Sequence, residues 1–357
     1  MEPRVDTDEL GERLFGSLLG TIDVLSIHVG DQLGLYRALL PGPMSAGELA
    51  AAKGIHSRYA REWLEQQCVA GLLEVDDPDL PQEERRFALP DNHAAVLADP
   101  TNLANFTPFA NLMVAAAAQM PALLDAYRSG GGVGWADFGP LMRTAQAEGN
   151  RPLYLHLLGQ SWLPSLPEVD RALRVGGRVA DIGCGEGWSS IGIALAYPDT
   201  VVDGYDVDPS SVEAARAHVA SYDLSGRVRI NLVDIVAAPP ESTYDLVTAF
   251  ECLHDLPDPV AVLGTARTML ADDATMLVMD ERVPDEFTGP GDPVEQLMYG
   301  FSMFVCLPDG MSHEGSVATG TVMRAPVLER YAKDAGFAGV EVLPIDHDTF
   351  RFYRLRQ

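Results

Sequence analysis

The chain is short of cysteine, of basic residues and of long apolar runs, and each shortage excludes something. Its 357 residues include four cysteines, Cys68, Cys184, Cys252 and Cys306. None are paired at zinc-ribbon spacing, and a disulfide framework is not expected. Lysine and arginine number 25 against 52 aspartates and glutamates, a formal net charge of −27. Such a chain stays soluble and repels polyanions, which disfavours nucleic acid as its main partner. The most apolar early stretch, Leu14 to Gly30, is broken by Asp23 and His28 and holds three glycines, so no span of a membrane is expected. Met1-Glu2-Pro3-Arg4 lacks the basic start of a signal peptide, which makes a cytoplasmic location the expectation. No internal repeat is visible. What remains is ordinary for a soluble globular protein, with 47% apolar and 22% charged residues and length enough for two domains.

The most informative stretch is Val179-Ala180-Asp181-Ile182-Gly183-Cys184-Gly185-Glu186-Gly187. A strand-like run enters Asp181, glycines alternate, and a helix-like segment opens at Trp188. Strand, glycine turn and helix start form a nucleotide-type pocket at the carboxyl edge of a parallel sheet. A dinucleotide fingerprint would set a pyrophosphate on the helix N-terminus. Here Asp181 precedes the glycines, and a carboxylate there would repel a pyrophosphate but suit a cationic ligand. Two more acids follow at strand ends, Asp206 after 201–206 and Asp234 after 228–233. Asp206 stands about 20 residues beyond the loop, where an acid holds a ribose diol. Turn chemistry accounts for either acid alone, but not for the series.

This pattern resembles motif I of the class I S-adenosylmethionine-dependent methyltransferases. S-adenosylmethionine has an ammonium, a sulfonium and no phosphate, which fits the acids. The resemblance implies that Asp234 reads the adenine amino group and that Ile235 packs on the ring. It places Asp181, Gly183, Cys184, Gly185, Gly187, Asp206, Val207 and Glu251 at the cofactor as well. The first and later stretches are similar to bacterial small-molecule methyltransferases with an N-terminal winged-helix domain. Those stretches are His56-Ser57-Arg58-Tyr59-Ala60-Arg61-Glu62-Trp63-Leu64, Glu251-Cys252-Leu253-His254-Asp255 and Ala318-Thr319-Gly320-Thr321-Val322-Met323-Arg324. The implied fold is α/β, a seven-stranded Rossmann-like methyltransferase sheet with an α-helical winged-helix N-terminal domain, in a homodimer.

The periodicity agrees. Strands are expected at 178–182, 201–206, 228–233, 244–250 and 275–281, with an antiparallel pair at 339–343 and 349–355. Residues 44–90 read as a winged helix-turn-helix. Ser45 caps one helix with Glu48 three residues on, a second runs from about His56 to Ala70 with Tyr59, Trp63 and Leu64 inward, and 72–75 and 86–89 form the wing. His56, Arg58 and Arg61 could read bases, but Glu62, Glu65 and an acidic wing tip oppose phosphate. Leu14, Leu18, Ile22 and Leu25 recur at helical spacing, as a core stripe or a dimer seam. The expected divisions are 1–100 for a helical winged-helix dimerisation domain, 101–168 for a helical linker and pocket wall rich in aromatics, and 169–357 for the cofactor-binding domain.

The fourth strand runs into Glu251-Cys252-Leu253-His254-Asp255, which puts His254 beside a transferred group. Methyl transfer needs an acceptor held in line and a base for its proton, and histidine titrates near neutrality. O-methyltransferases carry a His-Asp pair similar to His254-Asp255, with the histidine as base; Asp280 or Glu281 could orient the ring. Trp135, Arg151, Tyr154 and His313 are candidate substrate contacts, though Arg151 equally suits an ion pair and His313 a surface loop. A second resemblance is to metal-assisted C-methyltransferases of α-keto acids, which would make His254, Asp255 and His313 ligands of one iron or zinc ion. A third, different class is a ligand-sensing DNA-binding regulator that kept the fold. The expected partner is a small, partly apolar acceptor.

Overall fold

The computed structural model describes residues 6–357. The chain divides into two compact units, residues 1–114 and 115–357.

The first unit begins with α1, Thr7–Gln32, started by a capping box between Asp6 and Glu9. Ile27 and Gly30 are its buried positions. Leu14, Leu18, Ile22 and Leu25 are 55%, 55%, 44% and 48% exposed, so the stripe is not core within this unit. α1 is also long and apolar enough to cross a membrane by length and composition, with 11% of its most apolar window buried. This corrects the expectation of no such run: Asp23, His28 and the glycines interrupt the sequence without lowering its mean hydropathy enough.

Then come α2 (Leu35–Leu39), α3 (Ala46–Lys53) and α4 (Ser57–Val69). Ser45 caps α3 and forms the expected box with Glu48. The wing is a three-stranded antiparallel sheet in which Arg86–Ala88 lies between Met44–Ser45 and Glu74–Val75. Ala60, Trp63, Leu64 and Gln67 make the buried stripe of α4. Tyr59, expected inward, is 76% exposed, because that stripe turns one residue away from it. Of the three side chains that could have read DNA, Arg58 pairs with Glu62, Arg61 donates to Gln82, and His56 Nδ1 accepts from Arg58 N.

The second unit holds a seven-stranded sheet. Its strands are β1 (Arg178–Ile182), β2 (Val201–Asp206), β3 (Val228–Leu232), β4 (Tyr244–Phe250), β5 (Leu270–Glu281), β6 (Gly339–Val342) and β7 (Phe350–Arg356). The order is β3-β2-β1-β4-β5-β7-β6, parallel except for β7, which is antiparallel to both neighbours. Both faces are covered. Val179, Leu246, Leu277 and Phe352 pack into one apolar cluster, and Ala180, Val247, Val278 and Tyr353 into another. Alternate residues of each strand thus serve opposite layers, as a doubly wound sheet requires. The strand order reverses between β1 and β4, and the crevice at such a switch point is where ligands bind. Two π-helical turns, Tyr154–Trp162 and Ser302–Cys306, belong to this unit.

Candidate active site

The glycine loop leaves the end of β1 with each glycine at positive φ: +65° at Gly183, +51° at Gly185 and +85° at Gly187. A side chain at Gly183 would press on Cys252, 2.7 Å from its Cβ. At Gly185 an added Cβ meets nothing within 4 Å, so this part of the loop faces open space. Gly187 caps the helix Trp188–Ala196. Cys184 is buried, consistent with packing.

Asp181 is enclosed by hydroxyls. It is 1% exposed, and its oxygens accept from Ser189 Oγ at 2.6 Å, Ser190 Oγ at 2.7 Å and Thr248 Oγ1 at 2.7 Å. Burial pushes its pKa up and these hydroxyls pull it back. Asp181 therefore ties β1 to β4 and to the loop helix. Asp206 braces the loop from β2: Oδ2 accepts from Gly185 N at 2.8 Å and Oδ1 from Asp208 N at 2.9 Å. The second lone pair of each oxygen can still accept a diol. Val207 beside it is 66% exposed. Asp234 is exposed and accepts from Val236 N at 2.9 Å, while Ile235 is buried.

Glu186, between the last two glycines, has its pKa raised to about 7 by burial and by Glu148. Arg151 pairs with Glu148, three residues earlier on the same helix, at 3.1 Å and lies 4.5 Å from the centre of the Trp188 ring.

The reacting end lies at the tips of β4 and β5. His254 is 3% exposed, with Nδ1 2.9 Å from Asp280 Oδ1 and 3.8 Å from Glu281 Oε2. Of the two acids at the end of β5, Asp280 is thus the one bonded to the ring. Nε2 faces Asp255 Oδ1 at 3.4 Å. Burial alone would lower the His254 pKa, but Asp255, Asp280 and Glu281 outweigh it and raise it well above the usual value.

Sequence reasoning missed three residues here. Asn150 Nδ2 donates to Glu251, which sits at φ 49°, an uncommon conformation for a non-glycine residue. Burial lifts the Glu251 pKa to about 7, against the pull of His254. Cys306 meets His254 and Asp255, one ligand atom from each lying within 4.8 Å of the others. Asp309 accepts from Trp135 N at 2.7 Å. None of the three belongs to a motif; only fold proximity reveals them.

Tyr154 is buried and stacks on Phe250 at 6.0 Å. Burial raises its pKa well above the ordinary tyrosine value, with Glu251 the next cause, which sets it beside the site. His313 is half exposed, its Nε2 3.9 Å from Asp309. The structure does not bring it into the close ligand group around His254; Cys306 stands there instead.

Sheet order, switch-point crevice and glycine loop together define a Rossmann-like methyltransferase fold. Comparison with known proteins agrees. Residues 180–276 match the methyltransferase domain family, and residues 21–99 match the Rv2258c-like winged HTH domain. The chain thus carries a methyltransferase domain preceded in sequence by a winged HTH domain. A curated relative, 27-O-demethylrifamycin SV methyltransferase of Amycolatopsis mediterranei (strain S699), is 36% identical over 28% of this chain and 36% of its own length. The match thus spans about a third of that relative. The structure of the mitomycin 7-O-methyltransferase MmcR superposes with a TM-score of 0.70 at 20% identity, covering 98% of both chains. Human N-acetylserotonin methyltransferase, solved with its methyl donor, gives 0.70 at 17% identity over 100% of this chain and 99% of that one. At such identities the likeness is one of fold.

Proposed function

We propose that this protein transfers the methyl group of S-adenosylmethionine to a hydroxyl oxygen of a small, partly apolar acceptor, with His254 receiving the acceptor's proton. The observation that carries this is the buried imidazole at the switch-point crevice, held at Nδ1 by Asp280. That bond fixes the ring orientation and leaves Nε2, which faces Asp255 at 3.4 Å, as the nitrogen that would take the proton.

Bound S-adenosylmethionine would supply the activated methyl on its sulfonium. Asp206 would hold the ribose diol, Asp234 and Ile235 the adenine, and the open space at Gly185 would admit the amino-acid portion. Tyr154 and Trp135 would wall the acceptor. The group that Asp280 orients needs no large motion to take a proton, so much of the orientation is built in before the acceptor arrives.

Calorimetric titration with S-adenosylhomocysteine, followed by methyl-transfer assays on a panel of phenols and α-keto acids, tests the reading. Binding of the nucleoside and labelled methyl ethers from phenols are expected. Absent binding, or labelled carbon on the keto acids alone, would overturn it.

The metal-assisted carbon transfer through His254, Asp255 and His313 has less support, since His313 stands beside Asp309 instead. The regulator reading also loses ground, since Arg58 and Arg61 are spent on Glu62 and Gln82. The exposed Leu14, Leu18, Ile22 and Leu25 suit a homodimer seam. Asp23, within the helix, argues for that use of α1 over burial in lipid, where a carboxylate is costly.

A further inference from the structure

The three groups that meet at His254 have the chemistry of a metal site as well as of a base. One ring nitrogen of His254, a carboxylate oxygen of Asp255 and Cys306 Sγ lie within 4.8 Å of one another. The nitrogen that faces Asp255 Oδ1, at 3.4 Å, is Nε2. Zinc bonds of about 2.0 Å to nitrogen and oxygen and about 2.3 Å to sulfur put tetrahedral ligands roughly 3.3–3.5 Å apart, so modest side-chain shifts would suffice. Asp255 Oδ1 is buried and accepts no hydrogen bond. That oxygen, whose nearest cationic group is the imidazole itself at 3.4 Å, is free to serve as a ligand beside the nitrogen and the thiol.

The surroundings support the same reading. Ligand histidines commonly bond their other ring nitrogen to a carboxylate, which fixes the tautomer. Asp280, fully buried, does this at Nδ1. Cys306 is delivered by the π-helical turn Ser302–Cys306, and such turns often occur at functional sites. A thiolate, an imidazole and a carboxylate together select zinc over the hard cations magnesium and calcium.

We propose that His254 Nε2, Asp255 and Cys306 form a zinc-binding site, with Asp280 as the outer partner of the histidine. Cys306, not His313, is the third ligand. The site goes beyond the methyl-transfer reading and constrains it. Nε2 cannot hold an ion and accept a proton at once, so zinc and the base compete for one nitrogen.

The test uses the full chain, stripped with a chelator and titrated with cobalt(II) as a spectroscopic stand-in for zinc. One ion per chain and a near-ultraviolet sulfur-to-cobalt charge-transfer band are expected. Cys306→Ser should lose that band and bind zinc at least about tenfold more weakly, the loss of one good ligand. His313→Ala should change neither. No stoichiometric binding, a band that survives in Cys306→Ser, or a band lost in His313→Ala would each overturn the site. Should Cys306→Ser not fold, the wild-type chain still decides. Zinc should slow alkylation of Cys306, followed by peptide mass, and equal rates would overturn the proposal. Titration with S-adenosylhomocysteine keeps the two readings apart. Nucleoside binding without the cobalt band leaves methyl transfer standing, and the band without nucleoside binding leaves only the zinc site.

Discussion

Asp181 shows how one side chain can serve packing and ligand at once. Its carboxylate takes three hydroxyl hydrogen bonds at 1% exposure. Replacing it with alanine strands Ser189, Ser190 and Thr248 inside the protein. Each stranded group costs about 1–3 kcal/mol if no water replaces the carboxylate. Asp181→Ala is therefore expected to lower the thermal midpoint by at least several degrees, read by calorimetry, while Asp181→Asn, which keeps an acceptor, loses less. Equal losses would show that the acceptor role is not what matters. Asp206 makes the complementary case. Its bonds to Gly185 and Asp208 brace the loop, and its remaining lone pairs suit a diol. Asp206→Ala should weaken S-adenosylhomocysteine about 10- to 100-fold, the worth of one or two charge-assisted bonds. An unchanged affinity would remove Asp206 from the cofactor site. Both acids were legible as a series in the sequence. That Asp181 would be saturated was not, because Ser189 and Ser190 look like ordinary helix residues and Thr248 lies 67 positions away.

The elements show where sequence reading succeeds and where it stops. Short, largely apolar runs bounded by glycine and aspartate located β1, β2 and β4 at their observed ends. β5 begins at Leu270, earlier than the expected 275, because Asp272 and Asp273 read as a turn and Asp273 does sit at φ 60° inside the strand. The π-helical turns left no trace, since one extra residue per turn does not alter composition. That is why Cys306 escaped notice while His313, in a conspicuous Asp-Gly-Met-Ser-His loop, drew it. On α1, periodicity found the stripe but could not say what covers it. If the stripe is a dimer seam, Leu18→Glu with Leu25→Glu should yield a monomer in sedimentation at micromolar concentration. Nucleoside affinity should persist. A dimer that survives the double change would clear α1 of that role.

At the scale of the whole molecule, the acids whose pKa is displaced include two groups that act on stability with opposite signs. Glu48, Asp76, Asp170 and Glu341 have pKa values lowered by hydrogen bonds from backbone or arginine. Their contribution is present above the ordinary carboxylate pKa and lost as pH falls below it. Around the glycine loop the shift is reversed. Burial raises Asp181 and Asp206, and it raises Glu186 from 4.5 to about 7. The folded loop holds these protons more tightly than the unfolded chain does. Its stabilising contribution is full below the unfolded value and disappears as pH climbs from about 4.5 to about 7. Self-repulsion from a net charge of −27 works in the same direction as more acids ionise. The thermal midpoint should thus fall as pH climbs from about 4.5 to about 7. Glu186→Gln should flatten that fall by about 1–2 kcal/mol once solvent screening is allowed for. Scans across pH 4 to 8 on both proteins check this; a midpoint that rises from pH 5.5 to 8, or a slope identical in Glu186→Gln, would mean that the loop carboxylates do not govern it.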